Sequence, residues 1–458
     1  MNELEKLFAT KKTENGDDSY TTTGDKLLDL LFMSAYYEKH LNEAKIGKTA
    51  KDKTFSMFIR DARFGIGRRD LGRELMKQTG VSPEEIVMAG RFDDLYHIPT
   101  DENIRYLRDQ VYKGNALAKK WCPRLTGKDR KFAKALCKMW GIKEKKYREL
   151  IKVKTTESQL TEKKIDEIEF DKVPSLAMVK YYNRFMKEPR FREYIESVKK
   201  GDKKLNISTT TVYDIYKNRE KIDAQLFFDK LEKIEINCIP VLDTSGSMQD
   251  SNDSIGKATS IAHYLAKCST FCKDYVVSFS SRPQLIHMGY DREPVYEEEI
   301  YHDYWSMVAR KRKVEATKGF KYDNTQSKYI NEINSLYTGD CSNTDFKAVM
   351  ELFREMEKTP DYLVVLSDME FDWGSNMSKK ETMKYFKEKG FKTRIIWWNF
   401  NDRNTTVPEM DTDGNIYISG YSPFLLKYLQ SGFDGNKFLD NLLKEYKKNI
   451  KNVWQTLA

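Results

Sequence analysis

Residues 241–247 read Val-Leu-Asp-Thr-Ser-Gly-Ser, and the end of that run is where chemistry could happen. Asp243, Ser245 and Ser247 offer one carboxylate and two hydroxyls in a short loop. These are hard oxygen donors, a set that Mg²⁺ or another divalent cation accepts while keeping some of its waters. Two further segments can complete it. Ser342-Asn343-Thr344-Asp345 opens an apolar-periodic helix (Phe346, Val349, Met350, Phe353), and Tyr362-Leu363-Val364-Val365-Leu366-Ser367 is an apolar run ending in Asp368. The same residue types also fill turns and cap helices. The pattern gains meaning from its strand–loop–helix setting.

The elements that must position these residues follow from apolar periodicity. A strand over 236–242 delivers Asp243, and a helix with Ala258, Ile261, Ala262 and Leu265 on one face follows it. Further strands are expected at 276–279, 363–366 and 395–398. Asp413-Gly414 is expected to turn into another at 416–418. Strands alternating with helices predict a mostly parallel, doubly wound sheet. Ligands of such sheets bind beyond the C-terminal ends of the strands. Residues 289–340, charged and rich in aromatics, are expected to be an insertion on that ligand-binding edge.

A second surface is set by charge. Residues 1–230 carry 49 Lys+Arg against 37 Asp+Glu, whereas 231–458 carry 30 against 33. Between Lys113 and Glu149 there are 13 basic and 3 acidic residues. Such a block suits a polyanion, most simply nucleic acid, although a solvated basic helix face gives the same composition. Lys119, Lys120, Arg124, Lys131, Lys134 and Lys138 are the candidates, and the last three share one helical face by spacing. Trp121 could stack on a base or anchor its helix in the core. Arg60, Arg63, Arg68, Arg69 and Arg73 cluster around Gly65 and Gly67. Guanidinium groups fork onto phosphate, and Arg63, Arg68 and Arg69 are candidates for that role. Asp61, Asp70, Asp93 and Asp94 lie close by in the sequence, so some of these arginines are expected to form intramolecular pairs.

The N-terminal half reads as helix throughout. Residues 1–25 are polar and expected to be extended, 26–232 all-α, and 233–458 α/β. Ser82-Pro83-Glu84-Glu85 carries a helix-start signature. Phe132, Ala133, Leu136 and Trp140 form one apolar face. Phe191, Tyr194, Ile195 and Val198 form another, stopped by Gly201. Many short helices suggest an array of the HEAT type. With 40% hydrophobic and 33% charged residues, the chain has a soluble composition. No apolar run approaches a membrane span and no leader pattern is visible, so a cytoplasmic protein with reduced cysteines is expected.

Asp243-x-Ser245-x-Ser247 with Thr344 and Asp368 resembles the metal-ion-dependent adhesion site of von Willebrand factor A domains. The resemblance implies that Ser245, Ser247 and Thr344 coordinate the ion directly. Asp243 and Asp368 would act through waters or hydrogen bonds. One position would stay open for a partner's carboxylate, which makes the site a docking device for an acidic protein ligand. Arg60-Asp61-Ala62-Arg63-Phe64-Gly65-Ile66-Gly67-Arg68-Arg69-Asp70-Leu71 is similar to a segment of Ro-type RNA-binding proteins. Gly90-Arg91-Phe92-Asp93-Asp94-Leu95, Lys172 to Met178 and Arg190-Phe191 continue that likeness. Such proteins join a TROVE helical-repeat domain to a von Willebrand A domain, and the order here matches. The likeness is nearest to the Ro relatives of plants, bacteria and viruses, with a short helical domain and the 289–340 insertion as departures. It implies a non-catalytic ribonucleoprotein component that holds small structured or single-stranded RNA. A protein-interaction scaffold that uses both domains without RNA is the competing expectation. An enzyme is not expected: the five histidines are scattered, and neither a P-loop nor a second carboxylate-rich metal site is present.

Overall fold

The structure is a computed structural model. It describes residues 69–429 apart from 208, 251–252, 281, 303–308, 340–345, 354–357, 369–383, 385–386, 391, 401–414, 420 and 422–428. The segment 60–68, the helix face beginning at Leu27, the Asp413-Gly414 turn, and with them Arg63, Arg68 and Thr344, lie outside the described residues. The protein is mixed α/β, with a mostly parallel central sheet.

Two compact units divide between Ile168 and Glu169. In the first, the described chain is short helices: α1 (Arg69–Thr79), α2 (Pro83–Ala89), α3 (Phe92–His97), α4 (Asp101–Tyr112), α5 (Ala116–Trp121), α6 (Arg130–Trp140), α7 (Glu144–Leu150) and α8 (Thr156–Thr161). Their ends follow local chemistry. The Ser82 hydroxyl accepts from the Glu85 amide at 3.3 Å and the Glu85 carboxylate accepts from the Ser82 amide at 2.8 Å, a reciprocal cap ahead of Pro83. α6 buries Ala133, Leu136, Cys137 and Trp140 and ends at Gly141, whose φ of 66° only glycine adopts without strain. These side chains join Leu95, Leu107, Val111 and Tyr147 in one core.

The second unit opens with helices α9 (Ser175–Phe185), α10 (Pro189–Lys200), α11 (Val212–Lys217) and α12 (Ala224–Asp229), then turns to strands. These helices group with the sheet because Phe228 of α12 packs its ring on His263, Tyr264 and Tyr329. Strands β1 (Cys238–Asp243), β2 (Tyr275–Phe279), β3 (Leu285–His287), β6 (Tyr362–Ser367), β7 (Arg394–Asn399) and β8 (Ile416–Ser419) form one sheet in the order β3-β2-β1-β6-β7-β8. All neighbours run parallel except β3, which is antiparallel to β2 at the edge. Strands β4 (Val295–His302) and β5 (Ala309–Thr317) pair only with each other.

Alternate residues of the sheet (Ile239, Val241, Val277, Phe279, Leu363, Val365, Ile395, Trp397) meet Phe346, Val349 and Met350 of α15 (Phe346–Leu352) on one face. Helix α13 (Ser254–Cys268) packs against β1, β2 and β6, with Ala258, Ile261, Ala262 and Leu265 buried. Helix α14 (Lys328–Ser335) packs on α12 and α13. The strand segments expected from apolar runs are present, and β1 and β6 are buried along their whole length.

The 289–340 segment departs from its simple reading as an insertion on the ligand edge. Because β3 runs antiparallel, it ends at His287 opposite Tyr275, the first residue of β2. The segment therefore leaves the sheet where the parallel strands begin, and only then returns. At Thr317, the foot of the β4–β5 ribbon, Gln284 donates its side-chain amide to the hydroxyl at 3.1 Å.

Candidate functional site

β1 lies at the centre of the order. The chain goes outward from it to β2 on one side, then crosses over it to β6 on the other. The C-terminal ends of β1 and β6 thus flank the switch point of the sheet, where backbone loops diverge and leave a crevice. Asp243 closes β1 and Asp368 directly follows β6, both with no exposed surface. The strands are in direct register up to Leu242 and Leu366, so Asp243 stands level with Ser367 and Asp368 follows one residue beyond.

Hydrogen bonds link Asp243, Ser245, Ser247 and Ser367 at this edge. Asp243 Oδ1 accepts from the Ser245 amide at 2.9 Å, which curls the loop back over the strand end. Asp243 Oδ2 accepts the Ser367 hydroxyl at 2.5 Å. Burial pushes the Asp243 carboxyl up to about 6; the hydrogen bonds from Ser367 and Ser245 oppose that, and the charge of Asp368 adds to it. The hydroxyl oxygens of Ser245 and Ser247 are 3.0 Å apart. The two hydroxyls hydrogen-bond to each other, and since adjacent ligands of an octahedral Mg²⁺ at 2.0–2.1 Å stand about 2.9 Å apart, an ion could take both oxygens with little movement.

The loop beyond is latched. Asp250 accepts from the Ser254 amide at 2.9 Å, and the Ser254 hydroxyl lies 2.7 Å from Asp250 Oδ2 and 3.0 Å from the Phe400 carbonyl, just past β7. Asp253, at φ 55°, accepts from the Tyr213 hydroxyl of α11 at 2.6 Å. Among the described residues no three His, Cys, Asp or Glu side chains gather as a metal cluster. The site at the switch point would not take that form, since its donors are two carboxylates and hydroxyls. By chemistry this donor set, Asp243, Ser245, Ser247 and Asp368, is one that could hold a hard divalent cation. Ser367 was missed by sequence reasoning, although its place just before Asp368 on a strand end was the available signal.

The basic candidates divide. Lys131, Lys134 and Lys138 are all exposed on α6, opposite its buried face. No carboxylate among the described residues pairs with them, in contrast to Arg148, which reaches Glu144 at 3.5 Å. Lys119 and Lys120 are half-buried in the last turn of α5. Arg124 is exposed but donates to the Ile151 carbonyl at 3.3 Å. Arg69 is exposed at the start of α1, on a separate helix. Trp121 packs against the helical core with the Arg91 guanidinium 4.4 Å over its ring, which is the anchoring role. The expected intramolecular pairing is present at Arg73, whose guanidinium bridges Asp94 at 2.8 Å and Asp93 at 3.1 Å.

Residues 141–239 match a domain of unknown function, DUF2828, and residues 313–453 match a second, DUF7788. An uncharacterised protein of Acanthamoeba polyphaga mimivirus is 21% identical, over 95% of this chain and 88% of its own length. The crystal structure of the Deinococcus radiodurans Ro (RSR) protein overlaps 88% of this chain and 85% of that chain, at 11% identity and a TM-score of 0.39. Among the described residues no helix is long and apolar enough to cross a membrane.

Proposed function

We propose that this chain is a Ro-like, non-catalytic RNA-holding protein of the cytoplasm. In this reading its helical unit binds small structured or single-stranded RNA. Its α/β unit is a von Willebrand A-type domain whose adhesion-type site, with Mg²⁺ or a similar ion, docks an acidic protein ligand. The observation that carries the RNA part is α6, where three exposed lysines at helical spacing stand without carboxylate partners among the described residues. A face of that kind lowers its own repulsion by meeting phosphates and releasing their counterions. The metal part rests on Asp243, Ser245, Ser247 and Asp368 meeting at the switch point, with Thr344 as the remaining ligand that the resemblance supplies. When bound, the ion would offer an open coordination position to a carboxylate. The chain's own contribution is to fix Ser245 through its hydrogen bond to Asp243, to hold the Ser247 hydroxyl against that of Ser245, and to keep both acids buried.

A scaffold that binds only proteins is the second reading. It is favoured by Arg73, which is consumed internally by Asp93 and Asp94 instead of being free for phosphate. The deciding experiment is titration of nuclease-treated protein with a structured small RNA bearing a single-stranded 3′ tail, across a salt series. Tight binding that weakens steeply with salt supports the RNA reading. Absent or salt-insensitive binding overturns it in favour of the scaffold.

A further inference from the structure

The edge strand β3 carries a column of flat rings. Register sets Tyr275 of β2 opposite His287 of β3, and their rings stack at 4.4 Å with 6° between planes. A turn through Gly289, at φ 75°, then brings Tyr290 onto His287 at 3.7 Å and 13°. The turn is pinned by the Gly289 amide, which donates to the Ser335 hydroxyl at 2.9 Å, and by the Tyr290 amide, which donates to the His287 carbonyl at 3.3 Å. His287 is thus sandwiched, and the column ends in Tyr290. Tyr290 is 61% exposed, more than any other large hydrophobic residue among those described. His287 covers one face of its ring, and no other ring is stacked on it among the described residues.

Ring pairs favour offset-stacked or edge-to-face contacts, and this protein uses both: Phe170–Phe191 meet at 64° and Tyr182–Phe191 at 82°, whereas Trp398–Phe400 stack at 11°. The column at Tyr290 differs from these buried pairs in ending on an exposed residue, and a parallel column with an open terminal face can be extended by a base. The surroundings are suited to a ring more than to a phosphate. Lys321 is engaged by Glu293 at 2.5 Å and Asp291 at 3.7 Å, and Arg292 donates to the Ser335 and Lys318 carbonyls.

We propose that Tyr290 is a stacking site for one unpaired nucleobase of a single-stranded RNA, backed by His287 and Tyr275. The ligand class rests on the RNA reading above, but the residues are different and the physical signature differs too. Stacking is a neutral interaction that tolerates any base, so it should add affinity without adding salt dependence.

The test uses the full chain and a single-stranded RNA carrying a fluorescent purine analogue, titrated across a salt series. Tyr290→Ala should abolish the fluorescence quenching that stacking causes. It should also weaken binding about tenfold at every salt concentration, leaving the slope unchanged. Tyr290→Phe keeps the ring and should behave as wild type. Charge reversal of Lys131, Lys134 and Lys138 should do the converse, flattening the slope while quenching persists at saturation. If Tyr290→Ala binds and quenches as wild type, the stacking site is wrong even where the salt slope upholds the helical unit. If Tyr290→Ala changes only self-association of the protein, the ring belongs to a protein interface and the proposal is overturned. A flat slope with Tyr290-dependent quenching would leave this site standing and remove the helical one.

Discussion

Ser367 and Asp243 are 124 residues apart in the chain, yet the serine hydroxyl donates to the carboxylate at 2.5 Å across two neighbouring parallel strands. The bond ties the ends of β1 and β6 together where the sheet reverses its winding. Asp243 is fully buried, and its carboxyl is raised by that burial, and further by Asp368, against the pull of Ser367 and Ser245. A carboxyl raised to about 6 in the folded state from 3.8 binds more protons folded than unfolded in that interval. In metal-free protein its contribution to stability is therefore complete below about pH 3.8 and is lost as pH rises through about 6. Urea denaturation in chelator should show this loss, on the order of 2–3 kcal/mol, and Asp243→Asn should remove it. Mg²⁺ added above pH 6 should restore stability to wild type alone. Identical pH profiles for wild type and Asp243→Asn would mean that the carboxyl is not shifted.

Asp94 has no exposed surface, accepts from Arg73 Nε at 2.8 Å and from the Arg91 amide at 2.9 Å, and leaves no room beside it. A Cβ at Gly90 would stand 2.3 Å from its Oδ2. Removing one partner of such a pair strands the other charge, at a cost of about 3–5 kcal/mol. Arg73→Ala is expected to destabilise the protein by that order. Gly90→Ala should do so as well, because the carboxylate must give way. Chemical denaturation measures both. A change under 1 kcal/mol would show that solvent rescues Asp94.

His263 of α13 is buried with Nε2 2.7 Å from Glu332 Oε2 of α14, and Lys267 reaches Glu332 Oε1 at 2.9 Å and Asp274 at 2.7 Å. Burial holds the imidazole below its ordinary range although Glu332 opposes this. Burial alone would raise Glu332, but the hydrogen bonds and charges of His263 and Lys267 outweigh it and hold the carboxyl low. Both groups are lowered on folding, so what they contribute is present above their unfolded values, 6.5 and 4.5, and is lost on acidification. Thermal melts from pH 8 to pH 4 should show stability falling below about pH 6.5. Glu332→Gln should lower the plateau by about 3 kcal/mol. It should also deepen the limb below pH 6.5, because the imidazole loses the charge that opposed its lowering. An unchanged acid limb in that variant would assign it to other groups.

Charge reversal at Lys131, Lys134 and Lys138 together should weaken RNA binding. The salt dependence should flatten by roughly one unit of slope for each phosphate that is no longer neutralised. These side chains are exposed, so the fold should be unaffected, and circular dichroism checks that. Unchanged affinity would make α6 a solvated face and nothing more.

What was legible before the structure was what local spacing encodes. The buried strands announce themselves as continuous apolar runs, and the faces of α6 and α10 by their period. The Ser82 cap follows from three residues, and the two acids at the switch point lie at the ends of the two most apolar runs. Long-range geometry was hidden. Ser367 reads as an ordinary strand residue until β1 is placed beside it. β3 is three residues long and sits on the sheet edge, while β4 and β5 are charged, Val295-Tyr296-Glu297-Glu298-Glu299-Ile300-Tyr301-His302 against a run containing Arg310-Lys311-Arg312-Lys313. None of the three carries the apolar continuity that marks a buried strand. The column at Tyr290 likewise depends on register and a glycine turn, neither of which is a composition.

The crossover from β2 to β6 contains β3, the β4–β5 ribbon, α14 and α15, and it begins and ends on strands that the core holds still. Much of it is tied down: Glu332 of α14 meets buried His263, and Phe346, Val349 and Met350 of α15 fill the core. The ribbon is different, since its two strands pair only with each other among the described residues. Its length and composition can therefore change while Asp243 and Asp368 stay where they are. A shorter ribbon should leave the sheet standing, which makes the ribbon the natural handle for retargeting the protein.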